Sequence, residues 1–395
     1  MRLTPLLLLV PLLVTATPAQ AAQAPRPVLQ TRAFVDDPAA TPANADADDP
    51  AIWVDRADPA RSLVLGTLKE GGLAVFDLRG REVATLPAPP PPAPGAAPGR
   101  FNNVDVLGDL AVVSDRGRDR IRVYRVDPRR QPVLTEVTDP AAPPVFSADE
   151  SEVDEQRTAY GLSAAKLGDR RVIAVSRRHE TRVALLELVD LPGGRVGTKA
   201  LSTVDLPDRF PLPDGTSWTP CAEPGERPQV EGMALDAAHG VLYAAQEDVG
   251  IWRIPLGGEP VLMDKVRSFG APARYDEETE ECVPDGPDPG FGGTRLTADA
   301  EGLTIAEGPH GTGQLYASSQ GDSRFVVYDR TGGNRVLSEF SVGRTSRTDS
   351  VEHSDGAAVT TTPLPGFPRG LLVLHDGERR PEQGGPTTGF VYLRR

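Results

Sequence analysis

Six times along this chain an apolar run meets a short polar turn and then a second apolar run. The segments are SLVLGTLKEGGLAVFDLRG (62–80), DLAVVSDRGRDRIRVYRVD (109–127), RVIAVSRRHETRVALLELVD (171–190), GVLYAAQEDVGIWRIPL (240–256), GQLYASSQGDSRFVVYDRTGG (313–333), and RGLLVLHDGERR with GFVYLRR (369–395). Short apolar runs with alternation, bounded by turn residues, read as strand pairs, and helical periodicity is weak throughout. Strand pairs recurring at roughly regular intervals predict a propeller in which each unit supplies inner strands of one blade. The expected fold is therefore all-β, a six-bladed β-propeller. The repeats are degenerate, and the same patterns also suit a two-sheet sandwich. Gly and Pro, at 40 each among 395 residues, fit many short strands joined by turns.

The first residues address the chain. MRLTPLLLLVPLLVTATPAQA has one positive charge, Arg2, then an apolar run, then Ala19-Gln20-Ala21. That order is that of a secretory signal peptide, with cleavage expected after Ala21 and Ala24 as second choice. The apolar run is interrupted by Pro11 and is short for a membrane span, which needs about 20 apolar residues. The expected organisation is a signal peptide at 1–21, an N-terminal extension at 22–44 and the propeller at 45–395, in an exported, soluble, monomeric protein. Cys221 and Cys282, each in a polar loop-like insert, fit one disulfide in an oxidising compartment. The sequence leaves open whether they pair with each other. Neither carries a nucleophile signature.

The net charge is −14. Such a chain repels nucleic acid and anionic membrane surfaces. It also repels an anionic substrate unless a bound cation inverts the local field. Each unit's first strand runs into polar residues at the same point: Lys69, Arg116, Arg178, Glu247, Gln320 with Asp322, and Asp376. In a propeller these turns gather at one end of the central channel. Carboxylates also stand just ahead of apolar stretches, at Asp46, Asp48, Asp49, Glu231, Asp299, Glu301, Asp349 and Asp355, with Asp105 after Asn102-Asn103. Hard oxygen donors of this kind suit calcium, which takes 6–8 oxygens. The five histidines follow no metal-ligand spacing, and no stretch matches a linear calcium loop. A calcium site here has to be assembled from distant parts of the chain.

The stretches DDPAIWVDRADPARSLVLGTLKEGGLAVFDLRG (48–80), NNVDV (102–106), VEGMALDAAHGVLYAAQEDVGIW (230–252), LTADAEGLTIAEGPHGTGQLYASSQGDSRFVVYDR (296–330) and SDGAAV (354–359) resemble the β-propeller phytases, from about Asp48 to Asp376. The resemblance implies a six-bladed propeller that binds several calcium ions. It implies a 3-phytase type of activity, in which metal-activated water hydrolyses phosphate monoesters of phytate, myo-inositol hexakisphosphate, bound as its calcium complex. By the same resemblance Glu231 and Glu247 are calcium-site carboxylates. Asp49, Asp299, Glu301 and Asp355 match further metal-site or active-site carboxylates, and Asp48, Asn102 and Gln320 lie in matching stretches. Asp349 and Asp376 match residues associated with structural calcium. Lys69, Arg116 and Arg178 fall at phosphate-binding positions, and Tyr160 in AYGLS matches an active-site tyrosine.

The chain also departs from that pattern. Some members have Lys-Lys where this chain has Lys69-Glu70, and Lys-Glu where it has Arg178-His179. The two inserts with Cys221 and Cys282 and the proline-rich loop 87–98 are further departures. RRHETR (177–182) lacks the Gly and Pro of the RHGxRxP phosphatase motif, and neither cysteine has the Gly-rich cradle of a cysteine phosphatase. Two other functions compete on the residues alone: a lactonase or esterase on a calcium propeller, and a non-catalytic calcium-binding module.

Overall fold

The first strand of each of the six pairs is buried through its centre, because it is covered on both faces. In Leu63–Thr67, Val64 packs into one apolar cluster while Leu63 and Leu65 enter the next. The same division repeats around the molecule, except at the sheet of residues 230–265, where one cluster covers both faces and reaches the sheets before and after it. A strand buried on both faces reads as a continuous apolar run.

The computed structural model describes residues 25–35, 45–379 and 387–395. The expected signal peptide lies outside the described residues. Five antiparallel sheets of four consecutive strands, and a sixth that joins strands from both ends of the chain, form the blades. Blade 1 comprises Pro50–Trp53, Leu63–Thr67, Leu73–Phe76 and Glu82–Leu86. Blade 2 comprises Phe101–Leu107, Leu110–Asp115, Arg120–Val126 and Leu134–Glu136. Blade 3 comprises Ala159–Leu167, Arg170–Arg177, Arg182–Leu191 and Arg195–Asp205, and blade 4 Val230–Asp236, Val241–Gln246, Gly250–Pro255 and Val261–Lys265. Blade 5 comprises Ala300–Glu307, Gly313–Ser319, Arg324–Asp329 and Val336–Phe340. Blade 6 takes Ala357–Thr360, Leu371–Arg379 and Thr387–Arg394 from the end of the chain and Arg26–Gln30 from its beginning.

The first strands of consecutive blades touch one another in a closed ring, the sixth meeting the first. They surround a central cavity of about 950 Å³. The molecule is thus a six-bladed β-propeller, not a sandwich. The six units read from the sequence are the second and third strands of each blade. The innermost strand is the one before each unit; it is less apolar because one of its faces borders the channel.

Arg26–Gln30 and Phe34–Val35 both pair with the last strand, Thr387–Arg394, although they fall inside the stretch expected to be an extension. Their partner is more than 350 residues away, so no local hairpin signal marks them. Phe34 is fully buried and meets Phe76 edge-on at 6.1 Å, and Phe76 meets Phe390 at 6.0 Å. This contact fastens the two ends of the chain across the junction of blades 6 and 1.

The two longest crossovers, 206–229 and 266–299, flank blade 4. Cys221 and Cys282 pair with each other and join them, 61 residues apart in sequence. The inserts are more than polar loops. Each holds a small hairpin, and Trp218 packs on Phe269 and Phe210, which in turn meets Trp252 of blade 4.

Adjacent inner strands approach closely at one end of the ring. A Cβ on Gly161 would lie 2.0 Å from the Glu231 carbonyl oxygen, one on Gly232 2.3 Å from that of Glu301, and one on Gly302 2.6 Å from that of Asp355. These contacts are backbone to backbone, so no side-chain rotation relieves them. Gly232→Ala is expected to lower unfolding stability by about 2 kcal/mol, as overpacking does. Denaturant titration checks this; an unchanged midpoint would show that the blades can separate at no cost.

Candidate active site

The site grows from one local feature repeated in four blades. The register between the first and second strands shifts between Phe101 and Val104, Ala159 and Leu162, Val230 and Met233, and Ala300 and Leu303. Each shift is a β-bulge, which bends the strand and re-aims the extra residue. The re-aimed residues are Asn102, Tyr160, Glu231 and Glu301, all at the same end of the channel. Asp49 and Asp355 stand just before the inner strands of blades 1 and 6 at the equivalent level. The turns after the second strands reach the same end with Lys69, Arg116, Arg178, Glu247 and Gln320. Lys69 adopts a left-handed conformation (φ 46°), which tightens its turn.

Glu231, Glu247 and Glu301 place one carboxylate oxygen each within 4.8 Å of one another. All three are buried, with exposures of 5%, 8% and 3%. Glu247 Oε1 and Glu301 Oε2 are buried without a hydrogen-bond partner. The Glu301 carboxyl is pushed well up by burial and by Glu231, Glu247, Asp355 and Asp299. Burial and Asp299 do the same to Glu247, and burial and Asp355 raise Glu231. Asp299 is pushed up to about 7 by burial, Asp248 and Asp355. A buried group of like charges with unpartnered oxygens is unfavourable alone, and a metal cation would complete it. Every donor is oxygen, the chemistry of a hard cation such as calcium.

A cationic half lies beside this acidic half. Arg116 donates to Asn102 Oδ1 at 2.9 Å, and Asn102 Nδ2 donates to Glu231 Oε1 at 2.6 Å. The Tyr160 hydroxyl donates to the other Glu231 oxygen, and its ring lies 5.6 Å from the Arg116 guanidinium. Gln156 Oε1 accepts from Arg116 at 3.3 Å and from Arg178 at 2.9 Å, holding the two guanidiniums together. Burial, Arg178 and Arg100 lower Arg116 to about 10. Among the described residues neither Arg116 nor Arg178 forms a salt bridge. Two cations held together without a carboxylate partner form a receptor for an anion. Lys69 pairs with Asp46 and lies 3.8 Å from Asp48. Burial works against its charge, but Asp48 and Asp46 hold its pKa above the ordinary value.

The remaining expected ligands divide. Gln320 donates to Asp355, which faces His375 at 3.6 Å, so both stand at the acidic rim. Asp48 is buried and pushed well up by burial, despite Lys69. Asp49 Oδ2 accepts from the Val104 amide at 3.0 Å and ties blade 1 to blade 2. Asp349 and Asp376 stand apart from this cluster. Burial, Asp349 and Glu352 push Asp376 up to about 7, and Asp376 Oδ2 and Glu352 Oε2 are buried without partners. With Asp349 they form a second acidic group where the blade 5–6 crossover meets the strand Leu371–Arg379 of blade 6.

Asp46, Arg100, Gln156, Gln229, Asp248 and Glu352 have places here that the motifs did not assign. Gln229 accepts from the His179 amide and donates to Glu247 Oε2, both at 2.9 Å. The recurrence Tyr160-Gly161, Glu231-Gly232, Glu301-Gly302 and Asp355-Gly356 was the available signal for the bulge position.

A carboxyl with a higher pKa in the folded than in the unfolded chain binds its proton more readily when folded. Its ionisation therefore costs stability as pH rises from about 4, the unfolded value, to about 7 for Asp299. In chelator, Asp299→Asn is expected to raise the melting temperature more at pH 8 than at pH 5. Equal shifts at both pH values would contradict the burial argument; thermal melts of the two proteins decide.

The phytase family model matches residues 2–206 and 226–388, passing over most of the insert that carries Cys221. The 3-phytase of Bacillus subtilis (strain 168) is 31% identical over 360 residues, covering 87% of this chain and 77% of that protein. Among solved structures, an auxiliary nutrient binding protein of Bacteroides thetaiotaomicron covers 88% of this chain and 69% of its own, at TM-score 0.46 and 12% identity. The periplasmic gluconolactonase PpgL of Pseudomonas aeruginosa covers 77% and 70%, at TM-score 0.42 and 16% identity. At that distance neither structure bears on activity. The match of the phytase model over nearly the whole propeller does: the chain belongs to the phytase family of phosphoric monoester hydrolases.

Proposed function

We propose that this protein is a secreted, calcium-dependent phytase that releases inorganic phosphate from myo-inositol hexakisphosphate by direct attack of water. One observation carries the reading. Three buried carboxylates, two of them with a spare oxygen, stand beside two guanidiniums that have no carboxylate partner among the described residues. The acidic half suits a hard cation and the basic half suits a phosphate.

Glu231, Glu247 and Glu301 would hold calcium, with Asp48, Asp49, Asn102, Asp299, Gln320 and Asp355 around them. Bound calcium would supply positive charge and lower the pKa of a water molecule. Arg116 and Arg178 would grip phosphate oxygens through their planar forks, and Lys69 would add a point charge. Asn102 fixes the Arg116 guanidinium, and Tyr160 holds one Glu231 oxygen in place. The same cations face the charge that develops as the ester bond breaks. No side chain needs to form a covalent phosphoenzyme. Asp349, Asp376 and Glu352 would hold a second calcium away from the chemistry. Export is supported by the order of the first 21 residues and by the disulfide.

Phosphate release from phytate by the purified protein is expected with calcium and lost in excess chelator. Glu247→Gln is expected to lower kcat/KM at least about 100-fold and to raise the calcium concentration needed. Arg116→Ala should lower kcat/KM by a similar factor without changing the calcium requirement. Calcium-dependent stability without release would favour a binding module, and full activity of Glu247→Gln would refute the metal assignment.

A further inference from the structure

Glu70 places a carboxylate next to Lys69, at the edge of the half of the site where Arg116 and Arg178 stand. Its side chain pairs with the Arg100 guanidinium. Arg100 is fixed between two site turns. Its amide donates to Asp115 Oδ1 at 2.9 Å, its carbonyl accepts from the Arg116 amide at 2.8 Å, and the next amide, of Phe101, donates to the Lys69 carbonyl at 3.1 Å. Arg100 therefore lies between Lys69 and Arg116, close enough for its charge to help hold the Arg116 pKa down.

The ion pair is only half used. Arg100 Nε and Glu70 Oε2 are both buried without a hydrogen-bond partner. The two side chains keep 22% and 24% of their exposure, so solvent reaches the pair. A guanidinium that solvent reaches donates two hydrogen bonds to a tetrahedral oxyanion once its carboxylate partner moves aside. A phosphate monoester carries up to two charges against one on Glu70, so a phosphate in reach outcompetes it.

We propose that Arg100 is a further substrate-binding residue, with Glu70 as its built-in competitor, so that the pair favours densely phosphorylated esters. A substrate with one phosphate fills the Lys69, Arg116 and Arg178 site and leaves Arg100 with Glu70. A substrate with neighbouring phosphates displaces Glu70 and gains the contact. This inference rests on the phosphate-ester reading above.

The test is steady-state kinetics of the calcium-loaded protein on phytate and on phenyl phosphate. Glu70→Gln is expected to lower KM for phytate about two- to fivefold, the range of a partly exposed ion pair, with a smaller change for phenyl phosphate. Arg100→Gln is expected to raise KM for phytate and to make Glu70→Gln silent when the two are combined. The proposal is overturned if Glu70→Gln changes both substrates alike or keeps its effect in the Arg100→Gln background. The first outcome marks a structural pair and the second a long-range charge effect. If the wild type releases no phosphate from either ester, the phytase reading fails. Phytate then stays intact, and calorimetric titration of the same four proteins reads the Arg100 dependence of binding directly.

Discussion

The close approach of neighbouring inner strands is the constraint on which the site depends. Gly161, Gly232 and Gly302 leave no room for a Cβ against the next blade's backbone, and Gly356 sits as tightly against Asp49. That contact brings consecutive strand entries together around one channel mouth. The residue before each glycine is then aimed by its bulge, or by its place at the strand entry, toward the same small volume. Widening the ring by one side chain would separate the carboxylates that now crowd within 4.8 Å. Closure by Arg26–Gln30 against Thr387–Arg394 keeps the ring from opening at its one covalent gap.

Crowding of like charges is unfavourable in a low-dielectric setting, and the pKa directions of Glu231, Glu247, Glu301 and Asp299 all record it. The molecule tolerates this because the surrounding apolar clusters supply stability independent of the site. That cost would favour a cation at the site, since a metal would relieve repulsion as well as gain ligands. The cations opposite are treated in the same way. Arg116 and Arg178 share an uncharged amide on Gln156 and keep their charge for a ligand. A net charge of −14 alone would repel phosphate. The separation of acidic and basic halves over a few ångströms resolves that conflict locally.

The disulfide-linked inserts show how a departure from the family pattern can stay compatible with the site. They occupy crossovers that return to the channel mouth, and they are anchored by Phe210, Trp218 and Phe269, away from the carboxylates. The insert of Cys221 still reaches the site through Glu226, which lies 2.7 Å from His179, and through Gln229 at its end. Burial and the fields of Arg178, Arg116 and Arg157 lower His179 to about 3, so it is neutral here. The Arg178-His179 departure from Lys-Glu therefore adds no cation; it removes one carboxylate.

The sequence by itself determined the β class, the six strand pairs and the residue types at the mouth, because period-two patterning and turn chemistry are local properties. Lys69, Glu231, Glu247 and Glu301 were legible because their motifs are contiguous. Only the tertiary structure decided which of these residues meet. Asp49 turned out to be tied to Val104, and Asp376 to lie with Asp349 and Glu352, because those relations depend on blade-to-blade packing. The closing strand at Arg26–Gln30, the Cys221–Cys282 pairing and the Arg100–Glu70 contact are of the same kind. Each joins segments whose separation in sequence carries no periodic or motif signal, and each is fixed only when the ring closes.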